Sequence, residues 1–402
     1  MDGIQTYWVL SPVAQQANGT WIDGVLQQRL GEFPLPGKPA NVNHFTRARV
    51  EVFREADPEQ AVNAAFYERG WTDGLPIVAP TQGRVRAMLA YSTISQGETL
   101  GEMEPLRGLI TAEKLAVNAV MAGCRPEYFP IILAATRAII SEAFNLRGTQ
   151  TTDENVAPLL IVSGPIAAQL GFNAGLGALG PGWQANASVG RCLRLIMINI
   201  GGGYLGVVSL AGIGQPARYS LCVAEQQVEN WSTLQIDAGH DWHQSSVTLM
   251  RAESVINITG GLDDIASVMG SAVSIFSMLH GGTVAVLLSP HTARLLIAQG
   301  WNKSDVSKYL HENGRIPVAQ WRKTWVRREI VNSYGVPPWV AHAELEPQGL
   351  MPVVESPDHI VVFVAGGDAP IAQHAYFPTW GFPPCKTTEV ITWPKDLPIP
   401  NI

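Results

Sequence analysis

Two periods of apolar residues run along this chain. At the roughly 100° per residue of an α-helix, Val189, Cys192, Leu193, Ile196 and Ile200 share one sector, while Gln184, Ala187, Gly190, Arg191 and Arg194 fall opposite. That pattern predicts a helix over 184–200 with Cys192 in the core and both arginines on a face of small residues. Further helices are expected over 59–69 after Asp57-Pro58, over 84–91 after Thr81, over 112–123 after Thr111, and over 127–144. The same signals recur over 260–279, 292–299, 305–312 and 317–332. Short apolar or alternating runs predict strands at 6–10, 48–53, 159–162, 219–224, 246–251, 254–258, 283–288 and 359–365. Residues 147–155 read as a polar loop. Strands and helices alternate as in an α/β (or α+β) fold, with layered helices on a mixed sheet. No internal repeat or low-complexity linker stands out.

Residues 1–58 are rich in Pro, Gly and Asn, with a turn at residues 34–37, and read as an irregular arm reaching over another subunit. Residues 59–395 form the α/β region, with two lobes expected at 59–210 and 211–395, and 396–402 is a tail. Composition narrows the partners. The 402 residues are 46% hydrophobic and 15% charged, which fits a well-buried globule. A net charge of −7 with scattered basic residues argues against nucleic acid and anionic membrane. The most basic stretch, Arg322, Lys323, Arg327 and Arg328, has the spacing of a solvated helix face. The apolar run 192–214 contains Arg194, Asn199 and Gly201, Gly202 and Gly203, unlike a lipid-exposed span. No basic and apolar leader opens the chain, and Cys124, Cys192, Cys222 and Cys385 lack CxxC spacing. A cytoplasmic protein with reduced thiols is expected.

Candidate chemistry falls on a few positions. Cys124 sits beside Arg125 between two predicted helices, a setting that favours a thiolate. The glycine-rich loop before residue 184 offers Gly180 and Gly182 as an anion cradle, with Asn186 and Arg191 just inside the helix. Trp71 and Asp73 lie in a rigid Asp-Gly and Pro loop that could wall a pocket. Glu225, at a predicted strand end, is a candidate proton carrier. Asp368 occupies a similar strand-to-loop position. His240 and His243 share a helical spacing but have no clear third ligand, so no metal is assigned. Walker A, GxSxG, HExxH and a well-placed GxGxxG are all absent, and no cofactor is identifiable.

Five segments, GWTDGLPIVAPT (70–81), MAGCRPEYFPIILAA (121–135), ALGPGWQANASVGRCLRL (178–195), GQPARYSLCVAE (214–225) and GWNKSDVSKYL (300–310), resemble a largely uncharacterised bacterial family. Its members are fused to, or encoded beside, proteins with a UGSC motif, in which selenocysteine or cysteine precedes Gly-Ser-Cys. The resemblance covers residues 59–395. It implies a subunit of an oligomeric, multi-chain enzyme whose second thiol or selenol motif lies on a partner, since this chain has no Gly-Ser-Cys. Gln226, Gln227 and Val228 replace the family's more acidic stretch after Cys-Val-Ala-Glu, and the 239–243 stretch is unusual. On this reading Cys124, Glu225 and Asp73 supply chemistry to a small carboxylated metabolite held by Trp71, Arg125, Gly180, Gly182, Asn186 and Arg191. A stand-alone lyase or hydratase, and a structural subunit shaping its partner's site, are the other readings.

Overall fold

The computed structural model describes residues 4–23, 50–280, 282–331, 335–368, 372–380 and 383–400, and the turn expected at 34–37 lies outside them. Strands β1 (Gln5–Leu10) and β2 (Val50–Glu55) pair antiparallel. Helix α1 (Pro58–Glu68) starts where Asp57 Oδ1 accepts the Gln60 N–H at 3.0 Å, and Pro58 fills a position that needs no donor. Helix α2 (Gln82–Leu89) is capped by Thr81, and the hairpin β3 (Thr99–Met103) and β4 (Gly108–Thr111) leads into α3 (Ala112–Ala122). Gly123 closes α3 at φ 82°, a left-handed turn that suits glycine. Then come α4 (Phe129–Ile140), α5 (Leu146–Thr151), β5 (Ala157–Ser163), α6 (Pro165–Gln169), α7 (Gln184–Asn199), β6 (Cys222–Ala224), β7 (Ser246–Ala252) and β8 (Ile256–Thr259). The chain continues through α8 (Leu262–Met269), α9 (Ile275–His280), β9 (Val284–Leu288), α10 (Pro290–Ala298) and α11 (Lys303–Asn313). It ends with β10 (Arg315–Pro317), β11 (Leu350–Pro352), β12 (Ile360–Val364), β13 (Gln373–Phe377) and β14 (Thr387–Val390).

Two four-stranded sheets, ordered β14-β7-β5-β6 and β12-β9-β13-β8, make an α/β sandwich with helices on its outer faces. Strand alternation builds the layers. Leu159, Ile161, Leu221, Val223 and Met250 point inward from the first sheet and meet Ala285, Leu287, Val361, Phe363 and Phe377 from the second. The alternate residues Leu160, Val162, Cys222 and Ala224 point outward into the core made with α3, α4 and α7. Val286, Leu288, Val362 and Val364 do the same against α8 and α11. The described part of the N-terminal arm packs on its own chain. Val9, Leu10, Val13 and Ala14 are buried in the first core, and the Ala14 N–H donates to the Asn199 carbonyl at 3.1 Å.

The sequence shows no repeat, but the topology does. Strand β5 runs parallel to β6 and antiparallel to β7, and β9 runs parallel to β12 and antiparallel to β13. The fourth strands are exchanged: β8 leaves β7 to pair with β13, and β14 leaves β13 to pair with β7. A serine stands at or just after the end of each first strand, before a helix (Ser163 the last residue of β5, Ser289 the one after β9), and Gly-Phe-Asn (171–173) or Gly-Trp-Asn (300–302) follows. Gly171 and Gly300 both have positive φ, 69° and 82°, and each asparagine Oδ1 accepts the N–H two residues on, at 2.8 Å. The exchange interlocks the two halves; of the expected lobes, 59–210 gives β5 to the first sheet, while 211–395 supplies the other three strands of that sheet and all four of the second.

Several expected elements differ from those observed. The 127–144 helix is α4 alone, preceded by a tight turn at Pro126–Tyr128 and stopped at Ser141, whose backbone is extended. The 147–155 loop begins instead with α5, nucleated by Asn145, whose Oδ1 accepts the Gly148 N–H at 3.1 Å. The 260–279 helix breaks at Gly270 into α8 and α9, because that residue sits on the Arg315 backbone, where a Cβ would come within 2.5 Å of the carbonyl oxygen. The strand over 219–224 shortens to Cys222–Ala224 after a turn at Pro216–Arg218. The 317–332 helix is regular only over Val318–Trp321 and widens to a π turn at Val326–Ile330. Among the described residues no single helix is long and apolar enough to cross a membrane.

Candidate functional site

Helix α7 carries most of the candidate residues, and its first turns organise two neighbouring clusters. In one, Arg191 forms a two-pronged ion pair with Asp73, Nε to Oδ2 at 2.7 Å and Nη2 to Oδ1 at 2.9 Å. Its Nη2 also donates to the Pro76 carbonyl at 2.8 Å. The planar fork is thus matched to the chain's own carboxylate and loop backbone. With side-chain exposures of 15% for Arg191 and 2% for Asp73, the pair is a buried tie between α7 and the 71–76 loop. Trp71 is buried edge-on against Phe66 with ring centres 5.1 Å apart, so its ring belongs to the core rather than to an open pocket wall.

The glycine-rich loop forms the second cluster. Asn186 is buried and fixes the loop from within: its Oδ1 accepts the Asn173 N–H at 2.8 Å, and its Nδ2 donates to the Asn173 and Cys222 carbonyls at 3.0 and 3.3 Å. Gly180 and Gly182 are exposed; Gly182 takes φ 122°, and the Gly180 N–H is already donated to Gly177 at 2.7 Å. Gln184, the first residue of α7, joins this loop to the cysteine. Its Nε2 donates to the Gly123 carbonyl at 3.0 Å, and its Oε1 accepts from Arg125 Nε at 3.1 Å. Cys124 and Arg125 therefore stand at the end of the glycine loop.

Cys124 is half-buried, whereas Cys192, Cys222 and Cys385 are buried. Its own N–H is donated to Ala119 at 3.0 Å, so it closes α3, and α4 begins only at Phe129. The helix start expected beside Cys124 is therefore displaced by the intervening turn. The Cys192 thiol faces Cys124; burial pushes its pKa well up, and the neighbouring sulfur adds to the effect. Burial likewise raises Cys222, with Cys124 as the second cause. Three thiols thus gather where α3, α7 and β6 meet, a grouping with no counterpart in sequence spacing. Tyr91 donates to Glu127 at 3.4 Å nearby.

Glu225 belongs elsewhere, at the carboxyl end of β6. Its side chain is wholly buried. Oε2 accepts from Ser163 Oγ and from the Leu234 N–H, both at 2.7 Å, and Oε1 faces Lys303 Nζ at 3.3 Å. Lys303 also pairs with Asp237 at 2.8 Å. Burial raises the Glu225 pKa, opposed by Lys303, the Leu234 N–H and Ser163. Lys303 and Ser163 were not singled out by sequence reasoning; their signal is position, one after the Gly-Trp-Asn turn and one at a strand end. Asp368 is an exposed partner of Arg294. At the opposite end of the first sheet, burial raises Glu253 to about 7, the Asn155 N–H opposes this, and the adjacent Glu154 adds to it. His240 and His243 gain no third ligand: among the described residues, no three His, Cys, Asp or Glu side chains gather in a metal-binding arrangement.

These features define an α/β protein of two interlocked halves, with a thiol cluster beside a glycine loop on one helical face. No family model, curated protein or solved structure matches the chain.

Proposed function

We propose that this chain is a thiol-bearing subunit of an enzyme acting on a small carboxylated metabolite, with Cys124 as the reactive group. The observation that carries the reading is the contrast among its cysteines. Cys124 alone of the four is half-exposed, and it lies beside Arg125, whose guanidinium has Gln184 as its hydrogen-bond partner. A nucleophilic thiol needs access and a positive neighbour, and a carboxylate needs a guanidinium that is not already paired with an acid. Arg125 meets that second need better than Arg191, which is bound to Asp73. Glu225 and Asp73 hold structure around the site on this reading, with the exposed Gly180–Gly182 loop left as the substrate's entry face. The resemblance noted above supports a partner chain bearing a Cys-Gly-Ser-Cys or selenocysteine motif, and the four free thiols support a cytoplasmic setting.

The test uses the purified chain. Iodoacetamide followed by peptide mass spectrometry should modify Cys124 well ahead of the other three cysteines. A panel of 2-oxo, 2-hydroxy and amino acids should contain members that slow this modification, and the Arg125→Gln chain should lose that protection. Equal labelling of all four thiols, or no protection by any carboxylate, would overturn the assignment. A second reading, a structural subunit that shapes its partner's site, is favoured by the closure of both the Asp73–Arg191 and Glu225–Lys303 pairs. Turnover of a carboxylate by the complex that survives Cys124→Ser would favour it.

A further inference from the structure

The second arginine of α7 has a different environment from the first. Arg194 is 8% exposed, yet one of its terminal nitrogens, Nη2, is buried without a hydrogen-bond partner. Its Nε donates to the Arg218 carbonyl at 2.7 Å, which brings a second guanidinium alongside. Arg218 Nη2 in turn donates to the buried Ser209 Oγ at 2.7 Å. Among the described residues, neither arginine forms an ion pair. Two guanidinium groups held together under low solvent exposure, with no counter-charge in contact, are an electrostatic deficit that folding alone leaves open.

The chain packs closely around this deficit. Gly190, one turn back on α7, lets the helix lie directly on the 220–222 segment: a Cβ there would overlap Ser220 Oγ and come 3.1 Å from Cys222 Cβ. Between them remains a small cavity, with about 10 Å³ of space for the centre of a water-sized occupant, lined by Gly190, Leu193, Arg194, Arg218, Leu221 and Pro158 among others. Glu253 exerts a Coulomb pull on Arg218, but it shares its surroundings with Glu154 and burial favours its protonated form near neutral pH, so its compensation is partial. Burial lowers Arg194 to about 9, with Arg218 as the second cause and only a smaller opposing pull from Asp73, itself paired with Arg191, which is the expected direction for a cation with no counterion in contact.

We infer that the Arg194–Arg218 cavity is a binding site for a single small monovalent anion of halide size, seated against Arg194 Nη2. The space is small, which suits a single-atom anion such as chloride or bromide, somewhat larger than water, better than a multi-atom carboxylate. The site is separate from the Cys124–Arg125 cluster and does not depend on that assignment. A bound anion complements both guanidinium groups and ties α7 to the 209–221 segment, so it stabilises the fold by mass action.

Bromide is the direct probe. Crystals of the full chain grown or soaked in sodium bromide should show an anomalous peak within hydrogen-bond distance of Arg194 Nη2. In solution, replacing sodium gluconate with sodium chloride at constant ionic strength should raise the melting temperature, by roughly 1–2 °C at ten times the dissociation constant. The Arg194→Gln chain should lose that increment, and Arg218→Gln, at a less buried position, provides a second variant should the first fail to fold. Absence of both the bromide peak and the chloride increment in the wild-type chain would overturn the inference. An increment produced by acetate or formate but not by chloride or bromide would overturn the halide assignment and make the cavity a carboxylate site. An increment that persists in Arg218→Gln with no bromide at the cavity would place the ion elsewhere and would also overturn it.

Discussion

The two halves of the sandwich share a topology and differ in what they bury. In the first, the carboxyl ends of the parallel strands carry Ser163 and Glu225, and Lys303 reaches Glu225 from the other half. In the second, the corresponding strand ends carry Ser289 and Ala365, and the residue after Gly-Phe-Asn is Ala174, the counterpart of Lys303. The Ser289 N–H meets the buried His374 ring at 3.1 Å instead of the serine meeting a carboxylate. A buried ion pair thus stands at one of two equivalent places and a neutral arrangement at the other. Such a pair is a poor source of net stability, because desolvation offsets its attraction, but it specifies which residues must meet. Here it ties the turn of one half to the strand end of the other.

Breaking that pair should give the largest effect. Lys303→Met leaves Glu225 buried without its cation, and urea denaturation should show a loss of about 3 kcal/mol. Adding Glu225→Gln keeps acceptors for Ser163 and the Leu234 N–H while removing the charge. The double variant should therefore recover most of the loss, as the neutral second half requires. A double variant no more stable than Lys303→Met alone would show that the pair acts through packing rather than charge.

A second difference lies at the opposite sheet edge, where Glu253 follows β7 and Trp380 takes the corresponding place beyond β13. Because Glu253 is raised from 4.5 to about 7 in the native protein, the folded state holds a proton that the unfolded chain releases. Its contribution therefore makes stability fall as pH rises from about 4.5 to about 7, and level off above that range, by an amount on the order of 3 kcal/mol. Glu253→Gln should flatten this part of the pH profile in thermal melts. An unchanged slope would assign the pH dependence to other groups.

The smallest effect tests the likeness rather than the difference. Gly171 and Gly300 occupy matching turns with φ 69° and 82°. Replacing either with alanine should cost about 1 kcal/mol, with nearly equal losses in denaturant melts. Unequal losses would show that the two Gly-aromatic-Asn turns carry different loads.

Local rules were legible in the chain. Asp57-Pro58, Thr81, Thr111 and Gly123 mark helix ends that the structure keeps, because caps and left-handed turns depend on a few adjacent residues. The stripe through Val189, Cys192 and Ile196 is also buried as its periodicity implies. The opposite face of α7 was not legible, since its Gly190, Arg191 and Arg194 could have met solvent, ligand or protein. Arg191 meets Asp73 and lies 118 residues from it in the chain. The Gly-Phe-Asn and Gly-Trp-Asn turns were a visible trace of the duplication, but three residues do not define a repeat when the flanking strands differ in sequence.

By itself, then, the sequence determined the helix ends that carry a local cap, which residues are apolar enough to be core, and which side chains could do chemistry. Tertiary structure decided which of those side chains are already occupied. Asp73 and Arg191, Glu225 and Lys303, and Cys124 and Cys192 are partnered by long-range packing, which no local period encodes. The exchange of β8 and β14 between sheets is likewise set by the global burial of two sheet faces, a free energy shared by the whole sandwich rather than by any one segment.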